Sequence, residues 1–268
     1  MKEPFPVFAA VSIQTNSLCN LKCPFCFYGQ YPGYNSREKI ASRLVFRIID
    51  ELAALHFSGR VSMYNLNEPL TDKRIIRFLK YAKKRLPDCF HFFSTNGVLL
   101  TPALLDTLLP LVDHLRINDY GNLPPLHTAD PKVEISVKRD FFSTAANNRG
   151  GSLRGLEAAS VKGTGPCANP FGQLVIMPPG VAVLCCSDGF KQLVMGDLRS
   201  SDIRGIWWGK DFFTVRQLLA DGRRGHIPLC DKCSVAGGGF YDYFNRPAVF
   251  QEIIRKVKDQ VYIQIRSV

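Results

Sequence analysis

No apolar run in this 268-residue chain approaches the ~18 residues of a membrane span. The start, MKEPFPVFAA, has one lysine and a broken apolar segment, and does not read as a signal peptide. Both absences point to a cytoplasmic protein with no membrane partner. There is no internal repeat and no low-complexity tract, which excludes repeat architectures. Histidine is scarce: His56, His91, His114, His127 and His226 fall at no metal-ligand spacing, so each is expected to be structural or exposed. Basic and aromatic residues are not interleaved, which weighs against nucleic acid. A net charge of +11 still favours an anionic partner. Its clusters, KYAKKR at 80–85 and GRRGH at 222–226, are equally accounted for by a solvated basic face.

What the chain does have is a large core and many thiols. Hydrophobic residues make up 46% of it, and there are nine cysteines, which in a reducing compartment indicate metal or redox chemistry rather than disulfides. The first half alternates strand-like and helix-like segments. Strands are expected at 7–15, 60–66, 89–95, 114–120 and 132–140. Helices are expected at 36–57, where Ile40, Leu44, Ile48, Leu52 and Leu55 have helical spacing, at 71–86 and at 101–112. The last of these has Thr101 as cap and Pro102 in its first turn. Five or six parallel strands follow from this βα repeat, too few for a closed eight-stranded barrel. Chemistry then belongs at the C-terminal ends of the strands.

The character changes near residue 147, and a domain boundary is expected at 150–165. Two apolar runs about Pro178-Pro179-Gly180 signal a hairpin, a helix with a break near Gly209 spans 201–222, and a last helix is expected at 247–260. The expected organisation is a partial barrel over 1–155, a small cysteine-bearing domain over 156–246 and a C-terminal helix and tail over 247–268.

NSLCNLKCPFCFYGQYP places Cys19, Cys23 and Cys26 at spacing C-x3-C-x2-C directly after the first strand, with no fourth ligand nearby. Three thiols cannot close a tetrahedral zinc site, though zinc with an outside ligand stays open as a reading. They can ligate three irons of a 4Fe-4S cluster and leave the fourth iron free for a small molecule. Gly29 and Gly33 are expected to let the loop wrap closely.

This triplet, with Phe25 just before its third cysteine, resembles the signature of the radical S-adenosylmethionine (SAM) superfamily. Asn67-Glu68-Pro69 resembles that family's GEP motif, which binds the amino group of the methionine moiety, with Asn67 in place of glycine. Ser94-Thr95-Asn96-Gly97 resembles the polar segment lining the SAM site. The fold implied is an α/β, partial (β/α)6 barrel. Downstream, Cys167, Gly180 and Cys185, followed by Cys230 and Cys233, resemble the twitch form of a SPASM extension, whose four cysteines would hold one auxiliary 4Fe-4S cluster. No cysteine follows Cys233, so the full SPASM pattern is not met, and a zinc ribbon remains the alternative for these four. FSGRVSMYNLNEPL, STNGVLLT, NNRGGSL, VMGDL with IRGIW, and FFTVRQLLADGRRGHIPLCDKC extend the resemblance to the alcohol-oxidising, aminocyclitol dehydrogenase branch of the family. In that branch Arg149 would lie at the substrate, and Ser12 and Ser94 replace residues that face it.

The resemblance implies two 4Fe-4S clusters, SAM as co-substrate, a polar or anionic small-molecule substrate and a reducing partner such as flavodoxin or ferredoxin. A 5′-deoxyadenosyl radical would take hydrogen from a carbinol C–H of a sugar, aminocyclitol or nucleotide-linked sugar, and the auxiliary cluster would take the second electron to give a ketone. Arg149 would anchor the hydroxyl. The rival outcome is epimerisation of a similar substrate or a peptide, with a thiol returning the hydrogen atom. Two cysteines are left for that role. Cys89 reads as packed. Cys186 follows a ligand and, if both lie in a strand, points away from it; it is a spare thiol, a hydrogen donor or a ligand exchanged with Cys185. Nothing ahead of Phe8 resembles a peptide-recognition domain. Trp207-Trp208 reads as helix packing, and Asp119-Tyr120 as either a turn or part of the active-site lining.

Overall fold

The computed structural model of the chain describes residues 7–138, 148–155, 167–235 and Arg255. The helix expected at 247–260 lies outside the described residues except for Arg255. The chain forms two compact units, one of Ala10–Ala146 with Val175–Val181, the other of Met1–Ala9, Asn147–Leu174 and Ala182–Val268.

The first unit is a βα repeat. Strands β1 (Ala10–Ile13), β2 (Arg60–Ser62), β3 (Phe90–Thr95), β4 (His114–Asp119) and β5 (Val133–Val137) each run parallel to the next. Their order is β5-β4-β3-β2-β1, and β6 (Gln173–Met177), whose last three residues belong to this unit, lies beside β1. The order does not return on itself, so the sheet is open, as the strand count required. Crossovers run through α2 (Ser42–Ala54), α3 (Ile75–Arg85) and α4 (Pro102–Leu108), while a short α1 (Phe27–Gln30) closes the cysteine loop.

Helix α2 buries Leu44, Val45, Ile48, Ile49 and Leu52, a single apolar stripe at helical spacing. It starts six residues later than the apolar pattern suggested. The stretch before it is held in extended form instead: Ile40 N–H donates to the Thr15 carbonyl and Ser17 N–H to Glu38. Tertiary pairing thus overrides the local helical preference there.

In the second unit, α5 (Asn169–Gly172) leads into β6, and β7 (Val181–Val183) lies between β6 and β8 (Val194–Asp197). The reversal at Pro178-Pro179-Gly180, which belongs to the first unit, is closed by Gly180 N–H on the Met177 carbonyl. The expected helix at 201–222 is two helices, α6 (Ile203–Trp207) and α7 (Lys210–Ala220), and α8 (Pro228–Asp231) carries the start of CDKC. Gly209 makes the break: a Cβ there would stand 2.4 Å from the Gly205 carbonyl oxygen. Trp207 is fully buried, with Phe8 at 5.0 Å and Phe212 at 5.1 Å between ring centroids and the Arg216 guanidinium 3.9 Å over its ring. Arg216 donates from Nε to the Pro170 carbonyl at 2.7 Å, fixing the turn just after Cys167. Trp207 is therefore a packing residue. Among the described residues no helix is long and apolar enough to cross a membrane.

The cap on α4 was legible in the sequence: Thr101 Oγ1 accepts from Leu104 N–H at 3.2 Å. Thr101→Ala should cost about 1 kcal/mol of stability, and Thr101→Ser should restore most of it. Urea unfolding of the two variants against wild type measures this directly.

Candidate functional site

In the first unit the cysteine loop, Asn67–Pro69 and Ser94–Asn96 follow or end β1, β2 and β3, and parallel pairing brings those ends to one edge of the sheet. The node that ties them is Glu68, 3% exposed. Its Oε1 accepts from Thr95 Oγ1 at 2.7 Å and Leu70 N–H at 3.0 Å, and its Oε2 from Asn96 N–H at 2.7 Å. Its own N–H donates to the Leu18 carbonyl at 2.9 Å, which joins it to the cysteine loop. Burial raises the Glu68 carboxyl above its ordinary range, and the three donors work against that rise.

Buried amides complete the frame. Asn67 Nδ2 donates to Asn16 Oδ1 at 2.9 Å, Asn16 Nδ2 to Thr71 Oγ1 at 3.0 Å, and Asn96 Nδ2 to Asn20 Oδ1 at 2.8 Å. Asn35 holds both backbone groups of Cys19, accepting from its N–H and donating to its carbonyl at 3.1 Å each. Phe25 packs on Tyr120 with ring centroids 5.4 Å apart, so the residue after β4 supports the loop, while Asp119 accepts from Gly121 N–H in a local turn. Ser94 Oγ accepts from Asn118 Nδ2 at 2.8 Å, and Ser12 is buried in β1.

The second unit gathers five thiols. Cys167, Cys185, Cys186, Cys230 and Cys233 are all buried, and each of the Cys167, Cys185 and Cys230 thiols feels the charge of at least two others. Arg149 lies in the same unit on a loop whose backbone is left-handed three times in succession: φ is 49° at Arg149, 66° at Gly150 and 77° at Gly151. The glycines adopt this freely; Arg149 does not, and such strain persists only where surroundings enforce it. They do: Asn148 donates from Nδ2 to the Lys232 carbonyl at 2.7 Å and exchanges two bonds with Ser234. A Cβ at Gly150 would reach 2.3 Å from the Leu229 side chain, and one at Gly151 would reach 2.7 Å from that of Lys232. The Arg149 loop is therefore seated on the CDKC segment. Arg149 Nη1 donates to the Cys186 carbonyl at 3.2 Å.

Residues 13–119 match the Radical SAM superfamily and residues 167–234 match SPASM, an iron–sulfur cluster-binding domain. The chain carries a radical SAM domain followed by a SPASM domain. It is 29% identical to the S-adenosyl-L-methionine-dependent 2-deoxy-scyllo-inosamine dehydrogenase of Niallia circulans, over 88% of this chain and 98% of that one. It is similar to the crystal structure of BtrN in complex with AdoMet and 2-DOIA, with a TM-score of 0.76 and 26% identity over 89% of this chain and 98% of that one. BtrN in an open conformation shares the fold, with a TM-score of 0.69, 24% identity and coverage of 86% and 94%.

A radical SAM protein with a SPASM domain binds SAM, a 4Fe-4S cluster and auxiliary iron–sulfur, and the side chains here fit those groups. Cluster ligation needs thiolates. Burial pushes Cys19 up to about 12 and Cys23 up to about 11 in the first unit, and Cys167 to about 11 and Cys230 to about 12 in the second. With nothing bound these thiols stay protonated, and a bound multivalent cation would supply the charge that lets them ligate as thiolates. Among the described residues no three His, Cys, Asp or Glu side chains converge on a single ion, whereas ligands to separate irons of a cluster stand further apart. Tyr28 Oη, buried with no hydrogen-bond partner, feels the Cys19 and Cys26 thiols.

Gly29 and Gly33 part company. A Cβ at Gly29 would come 2.1 Å from the Cys23 carbonyl oxygen; one at Gly33 would meet nothing within 4 Å. The close wrap depends on Gly29 alone. Strand alternation at Cys185-Cys186 also fails, because β7 ends at Val183 and both cysteines lie in the turn after it. The Cys186 thiol lies near enough to the group for its charge to raise the Cys167 and Cys185 thiols. Cys89 is a packed thiol, donating to the Phe57 carbonyl at 3.1 Å.

Gly29→Ala should cut iron in anaerobically reconstituted protein from about eight per chain to about four. It should match the loss in Cys19→Ala and spare the iron held by the second unit. Iron content with iron–sulfur electron paramagnetic resonance (EPR) spectra checks this; full loading of Gly29→Ala would show that the loop tolerates the side chain.

Proposed function

We propose that this radical SAM oxidoreductase oxidises a secondary alcohol of a sugar or aminocyclitol to a ketone. The observation that carries the reading is the seat of Arg149: a strained loop bonded through Asn148 to the CDKC segment, in a chain similar along most of its length to a SAM-dependent aminocyclitol dehydrogenase. An arginine held this way is a substrate anchor joined to the residues that would take up an electron.

Cys19, Cys23 and Cys26 would hold the SAM-binding cluster, and Cys167, Cys185, Cys230 and Cys233 the auxiliary one. When bound, these groups supply a 5′-deoxyadenosyl radical that accepts a hydrogen atom and an acceptor for the second electron. Glu68, Asn67, Pro69, Ser94, Thr95 and Asn96 shape the SAM site. The Glu68 carboxylate is positioned by its three donors to face an ammonium group. Arg149 donates to the substrate hydroxyl and stabilises the oxyanion as the proton leaves. A guanidinium does not take that proton itself, so water or another group does. The net change is loss of one hydrogen atom, one proton and one electron from the carbinol.

Arg149→Lys should reduce ketone formation roughly a hundredfold while leaving uncoupled SAM cleavage within a few-fold of wild type, because lysine keeps the charge and loses the planar fork. Parallel assay of ketone and 5′-deoxyadenosine measures the split; equal loss of both would place Arg149 in the SAM site.

A second reading, epimerisation, is favoured by the place of Cys186, a thiol on the residue whose carbonyl receives Arg149. Dehydrogenation needs no hydrogen donor, so Cys186→Ala should keep turnover within a few-fold and incorporate no solvent deuterium at the reacting carbon. Mass spectrometry of product formed in D2O decides: one deuterium in the wild-type product, lost in Cys186→Ala, would make the protein an epimerase.

A further inference from the structure

GRRGH contains a residue that its composition disguises. Arg223 is exposed, whereas Arg224 is 6% exposed and is bonded to the segment that carries Cys230 and Cys233. Its Nε donates to the Cys230 carbonyl at 3.0 Å and its Nη2 to the Cys233 carbonyl at 3.2 Å, so one guanidinium spans both ends of CDKC. Its Nη1 is buried with no hydrogen-bond partner. Burial is the main influence on the Cys167 and Cys230 thiols, and the Arg224 charge opposes it at both. Asp188, fully buried and accepting from Gln192 and Leu193 N–H, acts on Cys230 in the other sense.

A permanently charged side chain, buried and with unused N–H groups, is costly unless a negative partner is supplied. Ligand thiolates and inorganic sulfides of a cluster are such a partner. Each electron added to a cluster makes it more negative, so a fixed cation beside it favours the reduced form, and hydrogen bonds to sulfur act in the same direction.

We propose that Arg224 is a positioning residue of the auxiliary site, which clamps CDKC through two carbonyls and raises the reduction potential of the cluster held there, so that the cluster accepts the electron leaving the substrate. The inference rests on the reading that Cys167, Cys185, Cys230 and Cys233 hold that cluster.

The test is a redox titration of the anaerobically reconstituted full chain followed by EPR, with the Cys19, Cys23 and Cys26 triple-alanine variant used to assign the second-unit signal. Arg224→Gln removes the charge but keeps amide donors for the carbonyls. Arg224→Lys keeps the charge. The expected result is a more negative potential for the second-unit cluster in Arg224→Gln, a tenfold weaker electron affinity or about 59 mV for a one-electron couple. Arg224→Lys should stay near wild type, and the other cluster should not move in either variant. A role confined to packing would change loading and leave the potential of the loaded fraction alone, and that outcome overturns the proposal. Should Arg224→Gln fail to load, Arg224→Met takes its place, since it also removes the charge: a potential about 59 mV more negative than wild type supports the proposal, and an unchanged potential in the loaded fraction overturns it. Absence of iron in the triple-alanine variant would instead sink the four-cysteine reading beneath it.

Discussion

A carboxylate taken out of water must be given donors or lose its charge, and in the first unit that constraint organises everything around it. Glu68 is 3% exposed and collects three donors from two segments: Leu70 beside it after β2, and Thr95 and Asn96 at the end of β3. Its own N–H reaches back to Leu18 on the cysteine loop. The ends of three strands are thereby fixed to one another by a single side chain and its backbone. The amides of Asn16, Asn20 and Asn67 repeat the pattern at lower charge. What looks in sequence like three separate motifs is one hydrogen-bonded object.

The two units meet the same physical difficulty in different ways. The first keeps its cysteines on a half-exposed loop, and a glycine lets the backbone fold on itself. The second buries its thiols and places a cation, Arg224, among them. An exposed loop suits a site that must admit a small molecule. A buried one suits a site that only passes electrons, where solvent would raise the reorganisation needed at each transfer.

Much of this was legible from residue types. The βα alternation, the open sheet, the Thr101 cap, the reversal at Pro178-Pro179-Gly180 and the break at Gly209 all follow from local rules, and the structure keeps them. Local rules failed where a partner distant in sequence decides the outcome. Residues 36–41 have helical spacing yet pair with Thr15 and Ser17. Cys185 and Cys186 would face opposite ways if both lay in a strand, but β7 stops at Val183. The bracing amides Asn16, Asn20 and Asn35 carry no signal, since each acts on a partner that only the fold brings near. Arg224 was hidden in a basic cluster because charge counting cannot tell an exposed arginine from a buried one.

The seat of the Arg149 loop has a consequence for how the parts of the second unit depend on one another. Asn148 rests on Lys232 and Ser234, and Gly150 and Gly151 fit against Leu229 and Lys232 only while CDKC keeps its shape. Arg224 ties the same segment together from the other side, through the Cys230 and Cys233 carbonyls. The proposed substrate anchor and the proposed cluster ligands are thus parts of one bonded assembly. A change that loosens CDKC would be felt at Arg149 as well as at the thiols.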